Sequence, residues 1–264
     1  MTDFETIQVT TRAPGVAQVT MSRPDVFNAF DERMIQELGV AFRALAKDPE
    51  VRAIVLAGAG KHFSAGADLQ WMKRASTADT DWNLSDARRF ADMLSCIEAC
   101  PKPTIARVQG VALGGGVGLA CACDIAIAAD NATFSVSEAK FGILPAVIGP
   151  HLVNAVGRRS ARRLALTATR IGATEASQIG LVQQIVEADQ LDAAIDATLA
   201  DLLICGPTAQ QEIKVLFSRL YVGPVDSSVR ELTAQTIARV RTSEEAKEGF
   251  SAFLEKRPAN WIPQ

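Results

Sequence analysis

KPTIARVQGVALGGGVGLACACDIAIAA, residues 102–129, decides the fold. Thr104 to Val108 is a run of strand length, the small-residue turn from Gly110 to Gly116 follows it, a helix is expected from about Gly116, and Ile125 to Ala128 forms a further strand. Strand, glycine turn, helix and strand in succession make a crossover unit around a parallel sheet. Val111 to Ala129 is also the one stretch long and apolar enough to resemble a membrane span. Its glycines and the carboxylate of Asp124, costly near a bilayer centre, argue for a buried helix and strand instead.

The same grammar extends outward. Ile7 to Thr10 and Val16 to Met21 flank Ala13-Pro14-Gly15, the signal of a hairpin. Asp31 can cap a helix in which Met34, Ile35, Leu38, Phe42 and Leu45 recur at helical spacing until Asp48-Pro49. Ala53 to Ala57 is a continuous apolar run, the pattern of a strand buried on both faces. Beyond Gly149 the composition turns helical, with helices expected over 161–168, 174–179, 191–204, 207–221, 228–240 and 243–256, and a strand only at 182–186. The expected organisation is an α/β core over residues 1–190 and a helical region over 191–264. Ala246, Phe250, Phe253 and Leu254 form a stripe on the last helix that needs a partner surface.

With 264 residues, 48% of them hydrophobic, the chain can bury a substantial core, and disorder is excluded. Its 27 basic and 30 acidic residues leave a net charge of −3, which gives no footprint for nucleic acid. The N-terminus has no secretory pattern, so the expected location is cytoplasmic, and the five cysteines are expected to be reduced. No metal is expected, because His62 and His151, the only histidines, complete no ligand pattern with a cysteine pair.

Two glycine-containing turns follow strands: GAGKHFSAGAD at 58–68 and GVALGGG at 110–116. Small residues let backbone N–H groups approach a ligand, and two such turns together can form a two-donor oxyanion hole. Neither matches a P-loop or a GxGxxG fingerprint. Tight packing of helix on strand is the alternative use of Gly114 to Gly118.

KHFSAGADL (61–69), residues 102–129, FSVSEAKFGILPAVIGP (134–150) and EGFSAFLEKRPANW (248–261) resemble, in that order, four signatures of the crotonase (enoyl-CoA hydratase/isomerase) superfamily. The resemblance covers essentially the whole chain. It implies a spiral of β-β-α units with a C-terminal helical trimerisation region, assembly as a homotrimer or a hexamer of two trimers, and an acyl-CoA thioester substrate. Coenzyme A is then part of the substrate and no cofactor is required. By motif match, the thioester carbonyl accepts hydrogen bonds from the N–H groups of Ala67 and Gly115, donors placed where enolate charge develops.

Hydratases of this family carry two glutamates. The second corresponds to Glu138, the expected general acid/base; at the first, this chain has Gly118. One carboxylate then does both jobs, another side chain helps, or the reaction is a double-bond isomerisation. A helix cap is the alternative role for Glu138. The implied substrate and CoA contacts are Ala65, Asp68, Leu69, Trp71, Gly114, Gly118 and Lys256, the last reaching CoA phosphate. Asp68 and Asp124 have mainly structural or cofactor-side roles on this reading, Trp71 serves equally well as core, and His151 is a further candidate near the site whose alternative is a partly buried histidine with a hydrogen-bond partner.

AGADLQWM (65–72), NLSDAR (83–88) and LPAVIGP (144–150) further resemble bacterial hydratases of 3-methylglutaconyl-CoA and longer branched glutaconyl-CoA thioesters. Such a substrate has a distal carboxylate, for which Arg88 or Arg89 is the candidate partner; surface ion pairs are the alternative. The expected function is hydration of the 2,3 double bond of a branched enoyl-CoA. An enoyl-CoA isomerase and a non-catalytic acyl-CoA-binding subunit are the rivals.

Overall fold

In the computed structural model, which describes residues 4–262, the hairpin forms as expected: Ile7–Ala13 (β1) pairs antiparallel with Val16–Met21 (β2). Glu32–Lys47 (α1) follows, its first turn capped by the Asp31 carboxylate, which accepts from Met34 N–H. Ala53–Gly58 (β3) is buried at every position. Then come Leu69–Thr77 (α2), Thr80–Glu98 (α3), Thr104–Val108 (β4), Val111–Leu113 (β5), Gly115–Ala122 (α4), Ile125–Ala129 (β6) and Thr133–Ser135 (β7). The remainder is Gly149–Thr167 (α5), Ile171–Gly172 (β8), Ala173–Gln178 (α6), Gln184–Val186 (β9), Leu191–Leu203 (α7), Pro207–Phe217 (α8), Ser227–Arg241 (α9) and Glu244–Glu255 (α10).

The main sheet has the order β1-β2-β3-β4-β6-β9 and is parallel from β2 onward. A second sheet, β5-β7-β8, lies beside it. Side chains alternate between two cores. Ile54 and Leu56 of β3, Val108 of β4 and Ala128 of β6 join the cluster that includes α1, α3 and α4, whereas Val55, Ile105 and Ile127 meet Leu191, Ile195 and Leu199 of α7. The first helix beyond residue 190 therefore covers the sheet's other face.

Two expectations are corrected. The glycine turn contains a strand, β5, and the helix after it begins at Gly115. The helix expected over 161–168 is the second half of α5, which is broken at Gly157 (φ 71°, ψ 158°). That glycine interrupts the apolar periodicity and hides the first half. Among the described residues, no helix is long and apolar enough to cross a membrane, and no three His, Cys, Asp or Glu side chains cluster as metal ligands do.

Candidate active site

The two glycine loops lie side by side. Ser64 N–H donates to Val111 O (3.0 Å) and Leu113 N–H to Ser64 O (3.0 Å), which zips the first loop to β5. Phe30 N–H donates to Gly66 O, and Asp68 N–H to Phe30 O, so a short parallel bridge turns Ala67 N–H away from Phe30. Gly66 has φ +84°, and a methyl there would come within 2.4 Å of Leu113 O and 3.3 Å of Gly115 N. Only glycine allows the loops this close. Ala67 N–H and Gly115 N–H find no acceptor among the described residues. Gly115 also opens α4, so the helix dipole adds to its N–H.

Asn28, which sequence reading overlooked, holds this arrangement from behind. It is fully buried with φ 54°, a conformation asparagine tolerates better than most residues. Its side-chain amide donates to Ala59 O (2.9 Å) and His62 O (2.8 Å), its Oδ1 accepts from Arg23 N–H (3.0 Å), and its backbone carbonyl accepts from Ser64 Oγ (2.9 Å). Arg23 adds a second clasp, bonding Ala29 O and pairing with Asp31 and Asp68. The only sequence signal for Asn28 was its liking for the left-handed region.

Glu138 begins a 3-10 turn just after β7. Its Oε1 lies 3.2 Å from where a methyl on Gly114 would stand, one residue from the Gly115 N–H. Its Oε2 is buried and has no hydrogen-bond partner. Burial pushes the carboxyl above the ordinary glutamate range and outweighs the nearby N–H groups of Ser137 and Glu138. The capping alternative accounts for one oxygen at most, because the Ser137 side chain makes no capping bond and Glu138 Oε2 is left without a partner. A half-buried carboxyl with one unpartnered oxygen, beside two free N–H donors, is a poised proton carrier. Cys121 is not a competitor: burial pushes its thiol up to about 12.

The other candidates separate. Ala65 and Ala67 are half-buried on the loop, and Leu69 is exposed at the start of α2. The Asp68 carboxylate caps α2 through Gln70 and Trp71 N–H and pairs with Arg23, a structural role. Trp71 is buried: its Nε1–H donates to Asp86 (3.0 Å) and its ring packs on Phe30 and Phe90. A methyl on Gly115 would strike Phe30 (2.2 Å) and approach Phe90 (3.1 Å), so this aromatic cluster underlies the oxyanion site rather than lining its open side. Gly118 faces Ile148. Asp124 accepts from Thr104 N–H and Oγ1–H and pairs with Lys214, which is structural. His151 is buried, its Nδ1 3.3 Å from Glu98 Oε2. Lys256 is exposed and ends α10 with φ 55°. Arg89 pairs with Asp86 (2.9 Å), whereas Arg88 is exposed and meets no carboxylate among the described residues.

Two free N–H donors and a half-buried carboxyl on a crossover α/β scaffold define a class of protein that stabilises an oxyanion and moves a proton beside it. The comparisons identify which one. A profile described as enoyl-CoA hydratase/isomerase matches residues 11–264, and the chain belongs to that family, the crotonase superfamily. It is an enzyme with the crotonase fold. The crystal structure of an enoyl-CoA hydratase from Shewanella pealeana superposes with TM-score 0.94 at 41% identity, covering 98% of this chain and 96% of that one. The crotonyl-CoA hydratase of Syntrophomonas wolfei is 35% identical over 94% of each chain. The mitochondrial Δ(3,5)-Δ(2,4)-dienoyl-CoA isomerase of the rat is 34% identical over 98% of this chain and 83% of its own.

Proposed function

We propose that the chain is an acyl-CoA hydratase acting through one carboxylate, Glu138. The observation that carries this reading is the buried, unpartnered Glu138 oxygen beside the free N–H pair. The thioester oxygen accepts from Ala67 and Gly115 N–H, which draws electrons away from C3. Glu138 takes a proton from water as the water oxygen bonds C3, leaving an enolate held by the two donors. The same carboxyl then delivers its proton to C2, so the elements of water are added and Glu138 returns to its starting state. Beyond the CoA of the substrate, this chemistry calls for no cofactor.

The acyl group we favour is 3-methylglutaconyl or a longer branched relative. Support comes from the three motifs and from Arg88, a cation without a carboxylate partner on the helix that brings Phe90 beside Gly115. Burying a distal carboxylate without a partner would be prohibitive, and one charge-assisted hydrogen bond contributes about 1.5–3 kcal/mol. The expected kcat/KM for 3-methylglutaconyl-CoA therefore exceeds that for crotonyl-CoA by at least about tenfold. Arg88→Ala should lower the former selectively. Equal use of both substrates would remove the glutaconyl assignment. Loss of enone absorbance distinguishes hydration from isomerisation, which generates that absorbance from a 3-enoyl thioester; a binding subunit would do neither.

A further inference from the structure

The two oxyanion donors belong to different segments, and both lean on the same three aromatic rings. Phe30 stands between them: its N–H donates to Gly66 O beside Ala67, and its ring lies 2.2 Å from where a methyl on Gly115 would be. Phe90 reaches the same point at 3.1 Å, and its ring centroid is 5.2 Å from that of Phe30. Trp71 closes the cluster, 5.9 Å from Phe30 and edge-on to Phe90. It is the one buried residue of α2, the helix that opens two residues after Ala67.

A single side chain joins the two helices that carry Trp71 and Phe90. Asp86 of α3 is 5% exposed, and its Oδ2 accepts from Trp71 Nε1–H (3.0 Å). Its Oδ1 accepts from Arg89 (2.9 Å), whose side chain is 47% exposed, so the charge is balanced toward solvent while the other oxygen holds the indole. Asp86 and Phe90 lie one turn apart on α3 and share a side of it. At the far end of α2 the Asn83 amide donates to Ala75 O and Ala78 O; at the near end the hydrogen bond from α3 is that of Asp86. Asp86 is also the only buried charged residue of α3. A carboxylate among aromatic rings costs desolvation that an apolar side chain would avoid, so hydrophobic burial does not account for it.

We infer that Asp86 is a positioning residue for the reaction: by tying Trp71 of α2 to the part of α3 that bears Phe90, it fixes the separation of the Ala67 and Gly115 N–H groups. The inference rests on the oxyanion role given to those two groups above. Asp86 itself touches no reacting atom. Donors set to the enolate oxygen stabilise charge that the ground state lacks, so a change in their spacing lowers kcat and spares KM. A purely structural Asp86 would change the melting temperature and leave the chemistry of the folded molecules alone.

The test uses the full chain with Asp86→Ala, Asp86→Asn and Trp71→Phe, and two readouts on folded protein. The first is hydration of crotonyl-CoA and 3-methylglutaconyl-CoA. The second needs no turnover: acetoacetyl-CoA loses a C2 proton to solvent, and its bound enolate, which absorbs in the near ultraviolet, is held by the same two donors. Asp86→Ala should lower kcat at least about tenfold with KM within about twofold, and should lower the ratio of bound enolate to bound keto form by a similar factor at fixed pH. Asp86→Asn keeps an oxygen for Trp71 Nε1–H and should recover most of both. An unchanged enolate ratio in Asp86→Ala, a loss confined to KM, or an Asn variant as impaired as the Ala variant overturns the inference. If Asp86→Ala does not fold, Trp71→Phe decides, since it keeps an aromatic ring and removes the indole N–H: the enolate ratio should fall at least about threefold, and an unchanged ratio overturns the inference. A wild-type protein that holds the enolate but hydrates neither thioester sinks the hydratase reading alone, because the enolate ratio still tests Asp86; one that holds no enolate overturns the oxyanion role and this inference with it.

Discussion

Glu138 is worth more to chemistry than to folding, and the two effects can be measured on one variant. Glu138→Gln is expected to lower kcat by about a hundredfold to ten-thousandfold while CoA-thioester binding stays near wild type. Near wild-type turnover would move the acid/base role to another group. The pH behaviour follows from burial. The folded carboxyl holds its proton to higher pH than the unfolded chain does, so this group's contribution to stability is lost as pH rises from the ordinary glutamate range through the raised folded value. Glutamine suffers no such loss, so Glu138→Gln should melt above wild type at pH 8, with the difference closing below the ordinary glutamate range. For the same reason the acid limb of kcat/KM should lie above that range. A melting difference independent of pH would mean that burial does not raise the Glu138 carboxyl in the folded chain.

At the scale of elements, α10 is more than the amphipathic end its sequence suggests. Gly206, which precedes α8, has no side chain to cap it, and the Glu245 carboxylate of α10 supplies the cap by accepting from Thr208 and Ala209 N–H at 2.8 Å each. Glu245→Ala should cost about 1 kcal/mol, a fall in Tm of roughly 2–4 °C for a chain of this size, with kcat unchanged. An unchanged Tm would make the contact incidental. Sequence reading could see what local pattern encodes: the hairpin turn, the Asp31 cap, the apolar run of β3 and the two glycine loops. It could not see β5, β7 and β8, which are two or three residues long and have no period to detect. Nor could it see pairings set by the fold alone, such as Glu245 with α8 or Ile148 with Gly118, 30 or more residues apart in the chain. The residues of the oxyanion pair and Glu138 were legible as motifs, but the buried state that makes Glu138 reactive is a property of the packing around it.

For the whole molecule, the C-terminal helices leave large apolar side chains exposed. Phe253 and Leu254 are 82% and 78% exposed, and Phe217 and Tyr221 are exposed as well. Ala246, Phe250 and Phe253 meanwhile line a hollow with Ala209, Val240 and Trp261, so only part of the α10 stripe is satisfied within its own chain. Burying the remainder against further copies would remove this surface from water at roughly 25 cal/mol per Å². The expected assembly is three or six copies, and the Phe253→Asp/Leu254→Asp variant should dissociate it in light scattering while keeping its circular dichroism. Lys256 stands two residues beyond Leu254, on the same exposed end. If it holds CoA phosphate across a subunit boundary, dissociation should raise KM for every CoA thioester whatever the acyl group, and Lys256→Ala in the intact assembly should reproduce that rise. A dissociated variant with unchanged KM would confine CoA binding to one chain, and a wild-type protein that scatters as a monomer would remove the assembly altogether.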